Sequence, residues 1–103
     1  MNTTLEKPKT TKYSAKYNSR PISFFFASSK AKSVNLVGDF NGWDPGAHPM
    51  QRREDGWWSL QVPLTHGHHQ YYFLVDGQLT LDEHAQGIAR NDRDEPVSVI
   101  AVS

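Results

Sequence analysis

From Pro21 onward, apolar residues recur at every second position in short runs, and this period of two constrains the chain more than any other feature. Ile22, Phe24 and Phe26 alternate with Ser23, Phe25 and Ala27, and Val34 and Leu36 alternate with Asn35 and Val37. An extended backbone sends successive side chains to opposite faces, so each run reads as a strand half buried against a core. In Trp57 to Val62, Trp58, Leu60 and Val62 share a face and Trp57 takes the other. In His69 to Val75, Tyr71, Phe73 and Val75 lie opposite Gln70, Tyr72 and Leu74. Asp76-Gly77 is a hairpin signal leading into Gln78 to Leu81, and Val97 to Val102 ends the series. No segment of helical period competes with these.

Five or six short strands at roughly ten-residue spacing, separated by Gly, Pro, Asp and Asn, predict an all-β fold. The arrangement expected is an antiparallel β-sandwich of the immunoglobulin type. Ser28 to Lys32 reads as a turn, and His84 to Glu95, polar and without a clear period, as a loop crossing one end of the sandwich. A chain of 103 residues supplies one domain with one core. Its first residues hold almost no apolar anchor, and Lys7, Lys9, Lys12 and Lys16 outweigh Glu6 there. Residues 1–19 are therefore expected to be a flexible, disordered basic tail ahead of a folded unit, 20–103.

Eleven Lys and Arg balance eleven Asp and Glu, so a basic tail leaves the folded part acidic, which argues against nucleic acid as a partner. Cysteine is absent, which excludes disulfides and thiolate metal sites and is compatible with a cytoplasmic location. No apolar run reaches membrane-spanning length, and the N-terminus lacks the apolar core of a secretion signal. The expected protein is soluble, cytoplasmic and not a partner of membranes.

The segment Gly38 to Met50, GDFNGWDPGAHPM, sets a tryptophan among turn formers. Asp39, Asn41 and Asp44 can bond neighbouring backbone groups and stiffen the bend that presents Trp43. Two uses of that indole are open: a plug folded over the sandwich end, or a platform for a sugar. A pyranose offers an apolar face of C–H groups to an indole, while its rim hydroxyls seek amides such as Asn41 and Gln70.

GDFNGWDPGAHPM, followed by DGWWSLQVPL and HHQYYFLVDG, resembles the carbohydrate-binding modules of family forty-eight. These are early-set β-sandwiches found in glycogen branching enzymes and isoamylases, and as the glycogen-binding domain of the AMP-activated protein kinase β subunit. The likeness covers about Arg20 to Ser103 and joins G-D-F-N-x-W to Tyr71-Tyr72-Phe73-Leu74-Val75-Asp76-Gly77 at the family's spacing. It implies a non-catalytic module, acting here as a stand-alone protein, that binds an α-1,4-glucan such as glycogen or a maltooligosaccharide. By that likeness the first stacking tryptophan falls on Trp43 and the second on Leu79, while the lysine of the neighbouring strand falls on Tyr72. The polar contact of the final strand falls near Val97, and the loop before it is altered at Arg93 and Glu95. The carbohydrate-binding set expected is Trp43, Tyr72, Leu79, Asn41, Gln70 and Val97.

Three rival uses compete with sugar binding. His66-Gly67-His68-His69 could suggest a metal, but strand alternation points neighbouring histidines apart and no carboxylate stands at ligand spacing, so a solvated turn and no metal are expected. Asp39, Asp44, Asp76, Asp82 and Glu83 could suggest glycoside hydrolysis, yet each suits a turn, and no nucleophile, phosphate loop or cofactor motif accompanies them. No enzyme activity and no cofactor are expected. The third rival keeps the sandwich and docks it on a glycogen-metabolism enzyme or another protein chain, a use that apolar Leu79, Tyr72 and Val97 would suit.

Overall fold

The computed structural model describes residues 19–103; the expected tail, Ser19 apart, lies outside the described residues. Eight strands follow in order: β1 (Arg20–Ala27), β2 (Val34–Gly38), β3 (Gln51–Arg52), β4 (Trp57–Leu64), β5 (Gly67–Val75), β6 (Gln78–Thr80), β7 (Gly87–Arg90) and β8 (Pro96–Val102). Among the described residues one 3-10 turn, Asp39–Asn41, follows β2. The strands form two antiparallel sheets: β1-β4-β3, and β2-β5-β8-β7 with β6 added beside β5. This is the expected sandwich, compatible with an early-set, immunoglobulin-like fold. Among the described residues no helix is long and apolar enough to cross a membrane.

The alternation resolves as the pattern requires. Phe24 faces inward at 3% exposure while its neighbour Phe25 stands 46% exposed, and Trp58 is buried where Trp57 is not. From β2 and β5, Val34, Leu36, Tyr71 and Phe73 meet Phe24, Trp58, Val62 and Leu64 in one core. Its aromatic centre is tilted and edge-on, with Phe24 and Tyr71 centroids 5.0 Å apart and Phe26 and Phe73 5.2 Å apart. Truncating a ring such as Phe73 in a core of this kind removes about 3–5 kcal/mol. Polar atoms drawn inward have partners: Trp58 Nε1–H donates to Ser28 O, and the Tyr71 hydroxyl donates to Asp82 Oδ2 at 2.7 Å. Burial first, and the Asp82 carboxylate second, push the Tyr71 hydroxyl far above its ordinary pKa, which keeps it a donor.

The turns are equally local in origin. Asp76 and Gly77 both have positive φ, as a two-residue hairpin between right-twisted strands demands. Asp76 Oδ1 also accepts from the backbone N–H groups of Lys32 and Ser33, clamping the β1–β2 connection to the β5–β6 turn.

Two expectations need correction, and one strand went unread. His84 to Glu95 is not all loop, because it contains β7, whose pairing with β8 holds it although its side chains only alternate between half-buried and exposed. The exposed two-residue β3 lacks any apolar signal and forms by pairing with β4. Val37, placed on the polar side of its strand, is fully buried, since nearly every residue of β2 is covered on both faces.

Candidate functional site

Each residue of Gly38 to Trp43 has a structural task. A Cβ at Gly38 would lie 2.8 Å from Gln70 O and closer still to the Phe40 ring, so only glycine fits against β5. Asp39 Oδ2 accepts the Gln70 N–H, and its Oδ1 lies 3.2 Å from His69 Nδ1. Phe40 packs on Phe24 with centroids 6.0 Å apart, anchoring the turn to the core. Asn41 then closes it: Nδ2 donates to Leu36 O and to His48 Nδ1, while Oδ1 accepts the Gly38 N–H. Gly42 takes the left-handed conformation at φ 67°, where a side chain is disfavoured.

Trp43 follows at φ 59°, in a region that a bulky residue seldom occupies. Its N–H donates to Gly38 O at 2.9 Å, locking the backbone in that state. A left-handed tryptophan costs of order 1–3 kcal/mol unless its surroundings hold it, and such residues cluster at ligand sites. The indole, half-buried, stacks on Tyr72, with centroids 5.7 Å apart and planes inclined by 29°.

Tyr72 projects from β5 opposite the core residues Tyr71 and Phe73, on the outer face of the larger sheet. Beside the ring pair opens a cleft of about 360 Å³, lined by Gly42, Trp43, Gln70, Tyr72 and the β7–β8 hairpin loop with Asn91, Asp92, Arg93 and Glu95. That loop is braced internally. Asn91 Oδ1 accepts from the Arg93 and Glu95 N–H groups, and its Nδ2 donates to Glu95 Oε1. Among the described residues, neither the Gln70 carboxamide nor the Arg93 guanidinium has a hydrogen-bond or ion-pair partner, so both are available to a ligand.

The six expected site residues therefore separate. Trp43, Tyr72 and Gln70 come together at the cleft. Asn41 is half-buried, and both of its amide hydrogens and its oxygen are already engaged within the turn, so it braces rather than binds. Val97 lies in β8 at 0% exposure, sealed from any ligand. Leu79 is 38% exposed on β6, paired with Leu74, and does not line the cleft. Asn91 escaped the sequence reading; its signal, Asn-Asp-Arg-Asp between two strands, is legible only once β7 is recognised.

The acidic residues considered for catalysis mostly have turn duties. Asp44 Oδ1 accepts from Gly46 N–H and Asp82 Oδ1 from His84 N–H, beside the roles of Asp39 and Asp76 given above. Among the described residues no three His, Cys, Asp or Glu side chains converge as a metal ion would need. His69 is instead bonded through Nε2–H to Thr65 O at 2.9 Å.

Residues 20–103 match the family described as the glycogen recognition site of AMP-activated protein kinase. The chain belongs to this family. Among similar proteins, the 1,4-alpha-glucan branching enzyme GlgB 2 of Xanthomonas campestris pv. campestris (strain 8004) is 33% identical over 85 residues, covering 80% of this chain and 11% of the enzyme. GlgB of Rhodopseudomonas palustris (strain BisA53) is 34% identical over 83 residues, covering 77% and 12%. GlgB of Photobacterium profundum is 42% identical over 57 residues, covering 52% and 8%. The chain thus spans about a tenth of the length of these relatives. The ring beside Trp43 is that of Tyr72 on β5, and Leu79 on β6 does not line the cleft.

Proposed function

We propose that this chain is a non-catalytic α-glucan-binding module that receives a glycogen-type or maltooligosaccharide chain in the cleft beside Trp43 and Tyr72. The observation that carries this reading is the stacked ring pair bordered by the free Gln70 amide and Arg93 guanidinium. Aromatic faces desolvate the C–H side of a glucose ring, and the amide and guanidinium answer its hydroxyls. Arg93 is offset by Asp92 and Glu95 in the lining, so the cleft has no strong positive field and suits a neutral polyhydroxyl ligand better than a phosphate. The family and the branching-enzyme relatives support α-1,4-glucan as the class.

Calorimetric titration with maltoheptaose, together with native electrophoresis through glycogen, tests the reading. Saturable heat and retardation are expected. Trp43→Ala should weaken binding by about thirtyfold, on the order of 2 kcal/mol, while the protein still unfolds cooperatively. No retardation and no heat at millimolar sugar would overturn it.

A further inference from the structure

The two sheets end in edges of opposite character. The outer side of β2 is covered by its own chain: Leu36 N–H donates to His48 O, Met50 N–H donates to Val34 O, and Pro49 bridges Asn35. Strand β1, eight residues long and at the margin of the smaller sheet, has no such cover among the described residues.

Its hydrogen-bonding phase follows from two contacts. Ser28 N–H donates to Gly56 O on the β1 side of β4, and Arg53 N–H donates to Trp57 O on the other side. With Ala27 opposite Trp57, even-numbered residues of β1 bond to β4 and odd-numbered ones point away. The N–H and C=O groups of Ser23, Phe25 and Ala27 therefore face outward, without partners among the described residues. Pro21 shares that phase, where its missing N–H sacrifices no bond to β4.

Natural proteins guard free edges with charge, proline, bulges or a covering segment, and in β1 the only proline, Pro21, guards just the start of the strand. Pro21 to Ala27 carries no charge at all. Instead, the exposed Phe25 packs edge-on against the exposed Trp57 on the sheet's outward face, with centroids 6.5 Å apart. A groove of about 570 Å³ is lined by Ser23 and Phe25 of this edge on one side and by Asp82, His84 and Gln86 on the other.

We infer that β1 pairs antiparallel with β1 of a second copy of this chain, joining the two three-stranded sheets across a twofold axis. The strand is complementary to itself. With the axis at Phe24, Ser23 of each copy faces Phe25 of the other, and each pair exchanges both backbone bonds. Ala27 N–H meets the carbonyl of Pro21, the one group that residue can offer. On the outward face the two Phe25–Trp57 pairs become diagonal neighbours and cover each other's apolar surface.

Sedimentation velocity of the full chain over rising concentration tests this, with a species of twice 11.7 kDa as the expected result. Ser23→Pro and Phe25→Lys, both at outward positions that spare the bonds to β4, should each weaken self-association by at least about tenfold. Neither should change glucan affinity per chain, because the Trp43 cleft lies on the other sheet. A protein that stays monomeric with freely exchanging Ser23 and Phe25 amides overturns the inference. So does a monomer whose Ser23 and Phe25 amides are protected, since another segment then covers the edge. A dimer that both variants leave intact overturns it too, by locating the contact elsewhere.

Discussion

Among the described residues two aromatic pairs reach the surface, one half-buried and one exposed, and their surroundings differ more than the rings do. Trp43 and Tyr72 stack in a concave site beside the Gln70 amide and Arg93 guanidinium, which have no partner among the described residues. Phe25 and Trp57 meet edge-on, at 87°, next to backbone groups that have no partner among the described residues, on a strand without charges between Pro21 and Ala27. Exposure alone therefore does not identify a sugar platform. A polyhydroxyl ligand needs side-chain donors and acceptors around the ring, whereas an incoming strand needs a row of backbone ones.

The strongest way to break the contrast is to loosen the support of the first pair without touching either ring. Asn41→Ala strips three hydrogen bonds from the turn and leaves Leu36 O and Gly38 N–H without that partner. It should lower stability by about 2 kcal/mol and weaken glucan binding as the indole loses its fixed position, read by chemical denaturation and calorimetry. A variant that binds as tightly as the parent would show that the indole needs no such brace.

Removing one ring from each pair sharpens the comparison. Tyr72→Ala should reduce glucan affinity by about 1 kcal/mol, roughly fivefold, whereas Trp57→Ala should leave it unchanged. Equal losses in the two variants would erase the proposed division between the faces.

The smallest expected effect separates fold from site. Hydrogen bonds from the Ser33 and then the Lys32 backbone N–H hold the Asp76 carboxyl below its ordinary value of 3.8. A carboxyl lowered on folding adds stability above its unfolded pKa, and that contribution drains away as pH falls through the lowered one. Asp76→Asn should therefore flatten the acid side of the stability profile beneath about pH 4 and leave glucan affinity at neutral pH intact. An unchanged acid limb in thermal melts would show that the clamp does not couple to folding.

The sequence made most of this comparison readable because a strand that buries one face writes its period into its side chains. Phe24, Trp58, Tyr71 and Phe73 fall inward and Phe25, Trp57 and Tyr72 outward on that basis alone, as observed. The exceptions are β3 and β7, whose backbone pairing depends on neighbours distant in sequence and leaves little mark on side-chain polarity. The cleft was half legible for the same reason. Trp43, Tyr72 and Gln70 could be found from turn chemistry and strand phase, but the loop opposite them is delivered by β7. Asn41 misled because a free amide and a fully engaged one are the same letter in a sequence.

The left-handed backbone at Trp43 has an evolutionary reading. Glycine or asparagine would relax position 43, so drift unopposed by selection runs toward them and away from the indole. Descendants that carry a small residue there, with the rest of the turn intact, are the ones expected to have abandoned the ligand while keeping the scaffold.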